Sequence, residues 1–327
     1  MSRIRLARKR DFRTGVAAIL AVLMLLNVSA CANGNSERNS PKYVISGGGT
    51  SGVYYNYGSN LASELSRNLP EDFVVAESEG SIDNLFRIGS GQALLGFAQS
   101  DAAANATLGD GTFGQRIPVR AIARLYDEYV HLVVRADSDI NDVRDLRGRV
   151  VSLGARNSGV NLVSMRVMSA VGLTPGSLEN KELGPDAAIE ALRTGQIEAI
   201  FWVGGVPTPG LEKLSKEVQL RLVPIEAEVV EKLNANYGGV YRISEFPIGS
   251  YGWDTPTMTM SVPNYLVVSE DAPAPLVREI TEQLFASRAA LAQQVPTAAL
   301  LDRRQAIFTD PIELHPGAAE YYTAAKH

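Results

Sequence analysis

Tyr43-Val-Ile-Ser46 is followed by Gly47-Gly-Gly-Thr-Ser-Gly52 and then by Val53-Tyr-Tyr-Asn-Tyr-Gly-Ser-Asn-Leu-Ala-Ser-Glu-Leu65. The pattern predicts a short apolar strand, a glycine-rich loop and a helix. Glycines let the backbone approach a bound molecule closely, because no Cβ stands in the way. The N-terminus of a helix presents unpaired N–H groups and the positive end of the helix dipole. This segment therefore predicts a binding site for a small anion, either a phosphate or a carboxylate.

The first thirty residues indicate export from the cytoplasm. Six Lys and Arg residues precede position 14, and an apolar run of eleven residues follows over Val16–Leu26. This run is shorter than the roughly 20 residues of a membrane span but suits the core of a secretion signal. Val28-Ser-Ala-Cys31 resembles a lipobox, so we predict a signal peptide over 1–30, lipidation of Cys31 and a lipid-anchored periplasmic protein. A plain signal cut near Ala30 and an uncleaved anchor are the alternatives.

Composition narrows the function classes of the mature chain. Cys31 is the only cysteine, which excludes internal disulfides. Residues 31–42 are polar and typical of a flexible tether. Residues 1–30 hold six basic residues and one acidic residue, so their removal takes the formal charge from −5 to −10. An acidic chain without a cluster of Lys and Arg argues against nucleic acid as a partner.

Strand and helix patterns alternate along the chain, which predicts an α/β fold. The predicted strands cover 43–46, 73–77, 93–98, 119–125, 130–134, 150–153, 199–202 and 220–224. The predicted helices cover 54–68, 82–90, 158–171, 187–194, 209–216, 227–235 and 275–292. A mature chain near 300 residues favours two domains. His131–Ser138 and Tyr265–Ala272 look alike, and each is a short apolar strand followed by a polar turn. As a pair of hinge strands they would divide the chain into lobe 1 (42–133 plus 265–327) and lobe 2 (134–264). The alternative is that they are two unrelated core strands.

Seven segments, in this order along the chain, carry a resemblance to a known family. They are Gly48–Tyr55, Gly96–Asp101, Ala121–Ser138, Asp145–Gly154, Ala199–Pro207, Ile248–Tyr251 and His315–Ala318 with Tyr321-Tyr322. From Tyr43 to its C-terminus the chain resembles the solute-binding receptors of TAXI-type TRAP transporters. The resemblance implies a two-lobed, type II-like periplasmic binding protein fold. It also implies capture of an organic anion such as glutamate or 2-oxoglutarate, and its delivery to the membrane permease subunits of a TRAP transporter.

On that interpretation, polar groups from both lobes bind the anion. The candidates are Gly49, Thr50, Ser51, Gly52, Val53 and Tyr54 in lobe 1, with Gln99 and Ser100 after the third strand. In lobe 2 the strand Val150–Leu153 leads into a second strand–loop–helix socket made of Arg156, Asn157, Ser158 and Gly159. Family members commonly carry Pro-Gly-Ser-Gly at this point, so the detailed contacts of Arg156 remain open between a second carboxylate partner and a solvated loop residue.

Further candidates lie on other strands. Trp202 ends a strand and is assigned to the ligand wall or to the core, and Tyr126 to the site or to ordinary packing. Arg124 is a candidate carboxylate partner or a structural ion pair. His131 is a hydrogen-bonded core histidine or a ligand contact.

Two other function classes compete with a receptor of this kind. Gly47-x-Gly49-x-x-Gly52, with Glu77 after the next strand, matches a dinucleotide-binding Rossmann fingerprint and would indicate an oxidoreductase. The export signal argues against that cofactor. A non-transport ligand sensor of the same fold is the second alternative. Three histidines and one cysteine provide no zinc-like spacing, and no Gly-x-Ser-x-Gly elbow is present. We therefore predict no metal, no cofactor and no catalytic residues.

Overall fold

The computed structural model describes residues 42–325, which form a ten-stranded mixed sheet with helices packed on both of its faces. The strands are β1 (Lys42–Ser46), β2 (Asp72–Ala76), β3 (Leu95–Gln99), β4 (Val119–Arg135), β5 (Val150–Ser152), β6 (Glu179–Lys181), β7 (Ala199–Gly204), β8 (Leu220–Leu222), β9 (Arg242–Glu245) and β10 (Met258–Ser269). The helices are α1 (Val53–Asn68), α2 (Ser81–Gly89), α3 (Ser100–Leu108), α4 (Gly159–Ala170), α5 (Pro185–Arg193), α6 (Pro209–Ser215), α7 (Ala227–Tyr237), α8 (Ala274–Ala286), α9 (Arg288–Gln294) and α10 (Pro316–Ala324).

Two long antiparallel strands lie at the middle of the sheet. The strand order is β2-β1-β3-β10-β4-β7-β5-β6, with β8 on β4 and β9 on β10. The strands β2, β1 and β3 are parallel, as are β7, β5 and β6, whereas β10 and β4 run antiparallel to each other and to their neighbours. Parallel strands joined by helices place the strand ends and the following loops at one edge, where ligands bind in open α/β sheets.

Four hydrophobic clusters divide into two pairs along these two strands. The first pair packs α1, α8 and α10 on one face of the sheet, and α2 and α3 on the other. The second pair packs α4 and α7 on one face, and α5 and α6 on the other. Along β4 the change from the first pair to the second falls between Tyr126 and Val130, and along β10 it falls between Val262 and Tyr265. We call the two parts the first half and the second half.

Helix α1 illustrates how the sequence forms these layers. Its buried residues Val53, Tyr57, Leu61 and Leu65 recur every four positions, so they lie on one face of the helix. That face packs on the apolar strands β1 and β3. The glycine-rich loop before α1 therefore enters a helix whose position is fixed by its own apolar face.

The predicted elements agree with the structure in most places. The predicted strands over 119–125 and 130–134 form one strand, β4, which continues through Tyr126–Tyr129. The predicted helix over 275–292 is divided into α8 and α9 at Ser287. Helices α3 and α10 and strands β6 and β9 were not predicted. The lobe bounds 42–133 plus 265–327 and 134–264 stay a prediction.

The signal peptide and the lipidation site at Cys31 lie outside the described residues. So does the predicted tether, apart from Lys42, which begins β1. Within residues 42–325, no helix combines the length and the apolar composition that a membrane crossing requires.

We predict that Leu61→Ala destabilises the fold by about 2–5 kcal/mol, because the Leu61 side chain is fully buried on the inner face of α1. Leu108→Ala serves as the matched control, since Leu108 is 71% exposed at the end of α3 and its truncation should cost less than about 0.5 kcal/mol. Urea unfolding followed by circular dichroism measures both variants. Equal losses would contradict the core assignment.

Candidate functional site

A cavity of about 60 Å³ lies where the first half meets the second half. Its lining comes from both halves and consists of Gly48, Gly49, Gly52, Val53, Tyr54, Glu79, Gly80, Ser81, Gln99, Glu128, Gly154, Ala155, Ser158, Gly159, Val160, Leu183, Pro185, Ala188, Ile189, Ile200, Phe201, Trp202, Val203, Gly204, Thr208 and Leu211.

Four helix N-termini contribute to this lining. The first turns of α1 and α2 come from the first half, and those of α4 and α5 from the second half. The N-cap residues of α1, α2 and α5 are Gly52, Gly80 and Gly184, and none of these helices has a side-chain cap. The N-cap of α4 is Ser158, whose Oγ accepts from the N–H of Asn161 at 3.0 Å. Because unpaired N–H groups and helix dipoles meet here, the cavity offers donors to a negatively charged group.

The most deeply buried ionisable group of the cavity is Glu128, near the middle of β4. Its side chain is fully buried, and its Oε2 accepts a hydrogen bond from the hydroxyl of Tyr54 at 3.0 Å. Its other oxygen, Oε1, has no hydrogen-bond partner within residues 42–325. Burial raises the pKa of Glu128 from 4.5 to about 8, and the hydrogen bond from Tyr54 opposes part of that rise.

A polar network around Tyr54 holds Glu128 in place. The Tyr54 hydroxyl accepts from Asn264 Nδ2 at 2.8 Å and lies 3.3 Å from Ser81 Oγ. Ser81 Oγ also accepts from the backbone N–H of Gln99 at 3.2 Å. The side-chain Oε1 of Gln99 is buried and has no partner in the described chain. Burial raises the pKa of Tyr54 well above its ordinary value, so the phenol remains a donor to Glu128.

No lysine, arginine or histidine is present among the described residues that line the cavity. The acidic side chains of the lining are the carboxyl groups of Glu79 and Glu128. A ligand carboxylate would therefore be bound by backbone N–H groups and hydroxyls, because the described lining holds no basic side chain.

The side of the cavity formed by the second half is largely apolar. Trp202 lies there with Ile189 of α5 and Leu211 of α6, and β7 continues past Trp202 to Gly204, so the predicted strand end at Trp202 is two residues short. Trp202 is oriented by its indole N–H, which donates to Thr208 Oγ1 at 2.9 Å. This wall suits an apolar part of a ligand.

The two halves contact each other around the cavity. The backbone of Asn157 donates to Glu79 Oε2 at 3.1 Å and accepts from the N–H of Asp83 at 3.0 Å. A Cβ on Gly49 would lie 2.5 Å from Pro185, and one on Gly159 would lie 2.3 Å from Gln99 Oε1. These two glycines are therefore needed because the halves approach each other closely. The sequence analysis assigned both glycines to anion binding and did not predict this packing role.

An ion pair between the halves lies outside the cavity lining. Asp101 Oδ2 on α3 accepts hydrogen bonds from Arg166 Nη1 on α4 at 3.2 Å and from the hydroxyl of Tyr241 at 2.6 Å. The side chains of Asp101 and Arg166 are 0% and 8% exposed. A buried pair of this kind is costly to break, because removing one partner leaves the other charge uncompensated.

The structure brings together eight of the residues that the sequence assigned to ligand binding. Those lining the cavity are Gly49, Gly52, Val53, Tyr54, Gln99, Ser158, Gly159 and Trp202. The other six lie beside it or away from it. Thr50 is exposed and donates to Asp186 at 3.3 Å, Arg156 is 76% exposed and pairs with Glu182, and Asn157 uses its backbone. Ser51, Ser100 and Tyr126 are outside the lining and have side-chain hydroxyls without partners in the described chain.

Sequence reasoning missed Glu128, Glu79 and Ser81. An acidic pair, Asp127-Glu128, inside an otherwise apolar and aromatic stretch was the available signal for Glu128. His131 is outside the lining; burial lowers its pKa to about 3, and its Nδ1 lies 2.8 Å from the carbonyl oxygen of Tyr129. It has the hydrogen-bonded core role that was one of its two interpretations.

A second, more open cleft contains Arg124 and Arg242 and has a volume of about 580 Å³. Both guanidinium groups face Asp127, at 2.5 Å and 3.6 Å. Asp127 compensates one of the two positive charges, and Asp310 and Glu313 also line the cleft, so it is a weaker candidate for an anion than the cavity.

Comparison with known proteins agrees with this architecture. Residues 45–325 match the model of the NMT1-like family. Among solved structures, the chain is similar to a putative L-cystine ABC transporter from Listeria monocytogenes (14% identity over 81% of this chain and 99% of that chain, TM-score 0.51). It is also similar to PhnD1 from Prochlorococcus marinus (MIT 9301) in complex with methylphosphonate (13%, 87% and 96%, 0.51) and to an ancestral arginine-binding protein bound to arginine (12%, 78% and 97%, 0.50).

The fold is therefore the two-lobed α/β fold of periplasmic solute-binding proteins. Because the family model covers most of its length, the chain belongs to the NMT1-like family.

We predict that Glu128→Gln stabilises the fold at high pH relative to the wild type. The folded protein holds a proton on Glu128 up to pH of about 8, whereas the unfolded chain releases it near 4.5. Wild-type stability should therefore fall relative to the variant by about 1 kcal/mol per pH unit between pH 5 and 7.5.

Urea unfolding of both proteins at pH 5 and pH 7.5 measures this difference. Glu320→Gln is the control, since Glu320 is exposed on α10 and its replacement should leave the comparison between the two pH values unchanged. A difference between wild type and Glu128→Gln that does not change with pH would contradict the buried, protonated carboxyl.

Proposed function

We propose that the chain is an extracytoplasmic solute-binding receptor of a TAXI-type TRAP transporter. It captures a small organic carboxylate between its two halves and delivers it to the permease subunits in the membrane. The signal peptide exports the chain, and the lipid on Cys31 anchors it in the periplasm. Its role is binding, and it catalyses no reaction.

The observation that carries this proposal is the convergence of four helix N-termini from both halves on one small cavity. A carboxylate there receives hydrogen bonds from α1 and α2 on one side and from α4 and α5 on the other. Such a ligand bonds to both halves only when they are together. Because it interacts better with the closed form, it shifts the population toward closure.

The TAXI assignment is supported by the seven sequence segments that resemble that family. Five of them supply cavity residues directly: Gly48–Tyr55, Gly96–Asp101, Ala121–Ser138, Asp145–Gly154 and Ala199–Pro207. The structural neighbours named above are described as transporter components or as complexes with small polar molecules, which supports a transport receptor in general terms.

A thermal-shift screen of dicarboxylates, amino acids and oxo acids tests the proposed function. A ligand that binds only the native protein raises its melting temperature, by a free energy of about 2.7 kcal/mol at a concentration 100 times its Kd. At least one carboxylate should do so, and the absence of any stabilising compound would contradict the proposal. Loss of uptake when the permease is deleted separates a transport receptor from a sensor.

We predict that Gly159→Ala weakens ligand binding by about 5- to 150-fold. Overpacking costs about 1–3 kcal/mol, and here it would destabilise only the closed form, which holds the ligand. The added Cβ would lie 2.3 Å from Gln99 Oε1 and 2.8 Å from Ser81 Oγ. Gly176→Ala is the matched control, because its nearest neighbour, Thr174 Oγ1, is 3.9 Å away. Titration of tryptophan fluorescence with the best ligand of the screen measures both variants, and an unchanged Kd for Gly159→Ala would refute closure at this contact.

We also predict that Arg166→Met weakens binding by roughly 100-fold, because closure would then bury Asp101 without its partner. The double variant Asp101→Leu/Arg166→Met should recover much of the affinity. Arg193→Met removes an exposed ion pair with Glu190 and should have almost no effect. The same titration measures all three variants. A double variant that binds no more tightly than Arg166→Met would show that the ion pair does not stabilise the closed form.

A further inference from the structure

We propose that the ligand carries a protonated amine in addition to its carboxylate, and that Glu128 Oε1 and Gln99 Oε1 receive the amine. This inference rests on the proposed function and narrows its ligand from organic anions in general to amino acids.

The cavity contains two buried acceptor atoms that a ligand could satisfy. Glu128 Oε1 and Gln99 Oε1 are both buried, both belong to residues that line the cavity, and neither has a hydrogen-bond partner within the described chain. Buried polar atoms are almost always hydrogen-bonded. The proton that Glu128 carries in the ligand-free protein can serve the neighbouring Gln99 side chain, but once Glu128 is ionised both oxygens are acceptors that need a donor. An ammonium group brings three donors and a positive charge, whereas a ligand with carboxylates alone provides none.

The charges of the cavity also favour a ligand that carries both a negative and a positive group. The helix N-termini favour a negative group, but the described lining holds the carboxyl groups of Glu79 and Glu128 and no basic side chain. A dianion would place its second carboxylate in a dry site without a basic side chain, beside a carboxyl group that must stay protonated, which is unfavourable. A zwitterion satisfies both features, with its carboxylate at the helix N-termini and its ammonium at Glu128.

The remaining wall of the cavity is apolar. Trp202, Ile189 and Leu211 form an apolar surface from the second half. With the carboxylate and the amine taken by the polar groups, this wall is left for the side chain. The structure thus points to an α-amino acid with a small apolar side chain.

Matched pairs of compounds test this assignment by isothermal titration calorimetry. L-alanine, L-valine and L-leucine are each compared with the 2-oxo acid of the same skeleton, namely pyruvate, 3-methyl-2-oxobutanoate and 4-methyl-2-oxopentanoate. L-glutamate and 2-oxoglutarate form a fourth pair. At least one apolar amino acid should bind at least about tenfold more tightly than its oxo acid and more tightly than L-glutamate, because only the amine satisfies the buried acceptors.

Two variants locate the preference. Glu128→Gln keeps the size of the side chain and removes its charge, so it should reduce the preference for the amino acid over its oxo acid to within about threefold. Glu320→Gln, on the exposed face of α10, should keep the wild-type preference. Circular dichroism checks that both variants are folded.

The dependence of affinity on pH provides a second readout on the unmodified protein. Burial raises the pKa of Glu128 to about 8, so an ammonium that pairs with the carboxylate must displace a proton below that pH. The affinity for the amino acid should rise by about tenfold per unit from pH 6 to 7.5, and the affinity for the oxo acid should not rise. Tyr54, Tyr126 and Asp101 also face Glu128; burial raises the pKa values of both tyrosines well above this range, and Asp101 is paired with Arg166.

The outcomes separate this inference from the proposed function. Oxo acids that bind as well as their amino acids, with affinity falling above pH 8, would overturn the inference and leave a carboxylate receptor in which protonated Glu128 donates to the anion. A preference that survives in Glu128→Gln would overturn the role of Glu128. Binding of none of the eight compounds would contradict the proposed function and the inference together.

Discussion

The antiparallel pairing of β4 with β10 is the constraint on which the structure depends. These two strands run through both halves, and each exchanges one pair of hydrophobic clusters for the other at nearly the same level. Glu128 pairs with Val262 at that level, and Asn264 pairs with Tyr126. The strands that connect the halves therefore also carry the buried acid and the amide that reach Tyr54. Any opening at this level would change the surroundings of Glu128 directly.

Burial of Glu128 links stability to function. A carboxyl group in a dry site costs free energy unless it is neutral or paired. In the protein alone, Glu128 is held protonated near neutral pH and bonded to Tyr54. A cationic group on a ligand would supply the missing partner, so the same desolvation that disfavours the free carboxylate would strengthen its interaction with an ammonium. The Asp101–Arg166 pair shows the complementary solution, in which the counter-charge comes from the opposite half.

Local sequence rules predicted the sockets and missed the acid between them. Gly52 and Gly159 lie at junctions between a strand, a loop and a helix, so turn and cap chemistry identifies both junctions that line the cavity. Glu128 lies in a continuous strand, whereas the predicted strands over 119–125 and 130–134 left Tyr126–Tyr129 between them. A polar residue facing a cavity between two cores has the same local pattern as one facing solvent in a turn. Its role follows only from the pairing with β10, which joins residues more than 130 positions apart.

A crystal structure of the protein with the best-binding compound from the matched pairs tests the central claim most directly. The account predicts a ligand in the cavity between the halves, with its carboxylate at the N–H groups of α1 and α4 and its nitrogen within hydrogen-bonding distance of Glu128 Oε1. A ligand bound instead in the cleft that contains Arg124 and Arg242, or one with an oxygen directed at Glu128 and no amine, would contradict it.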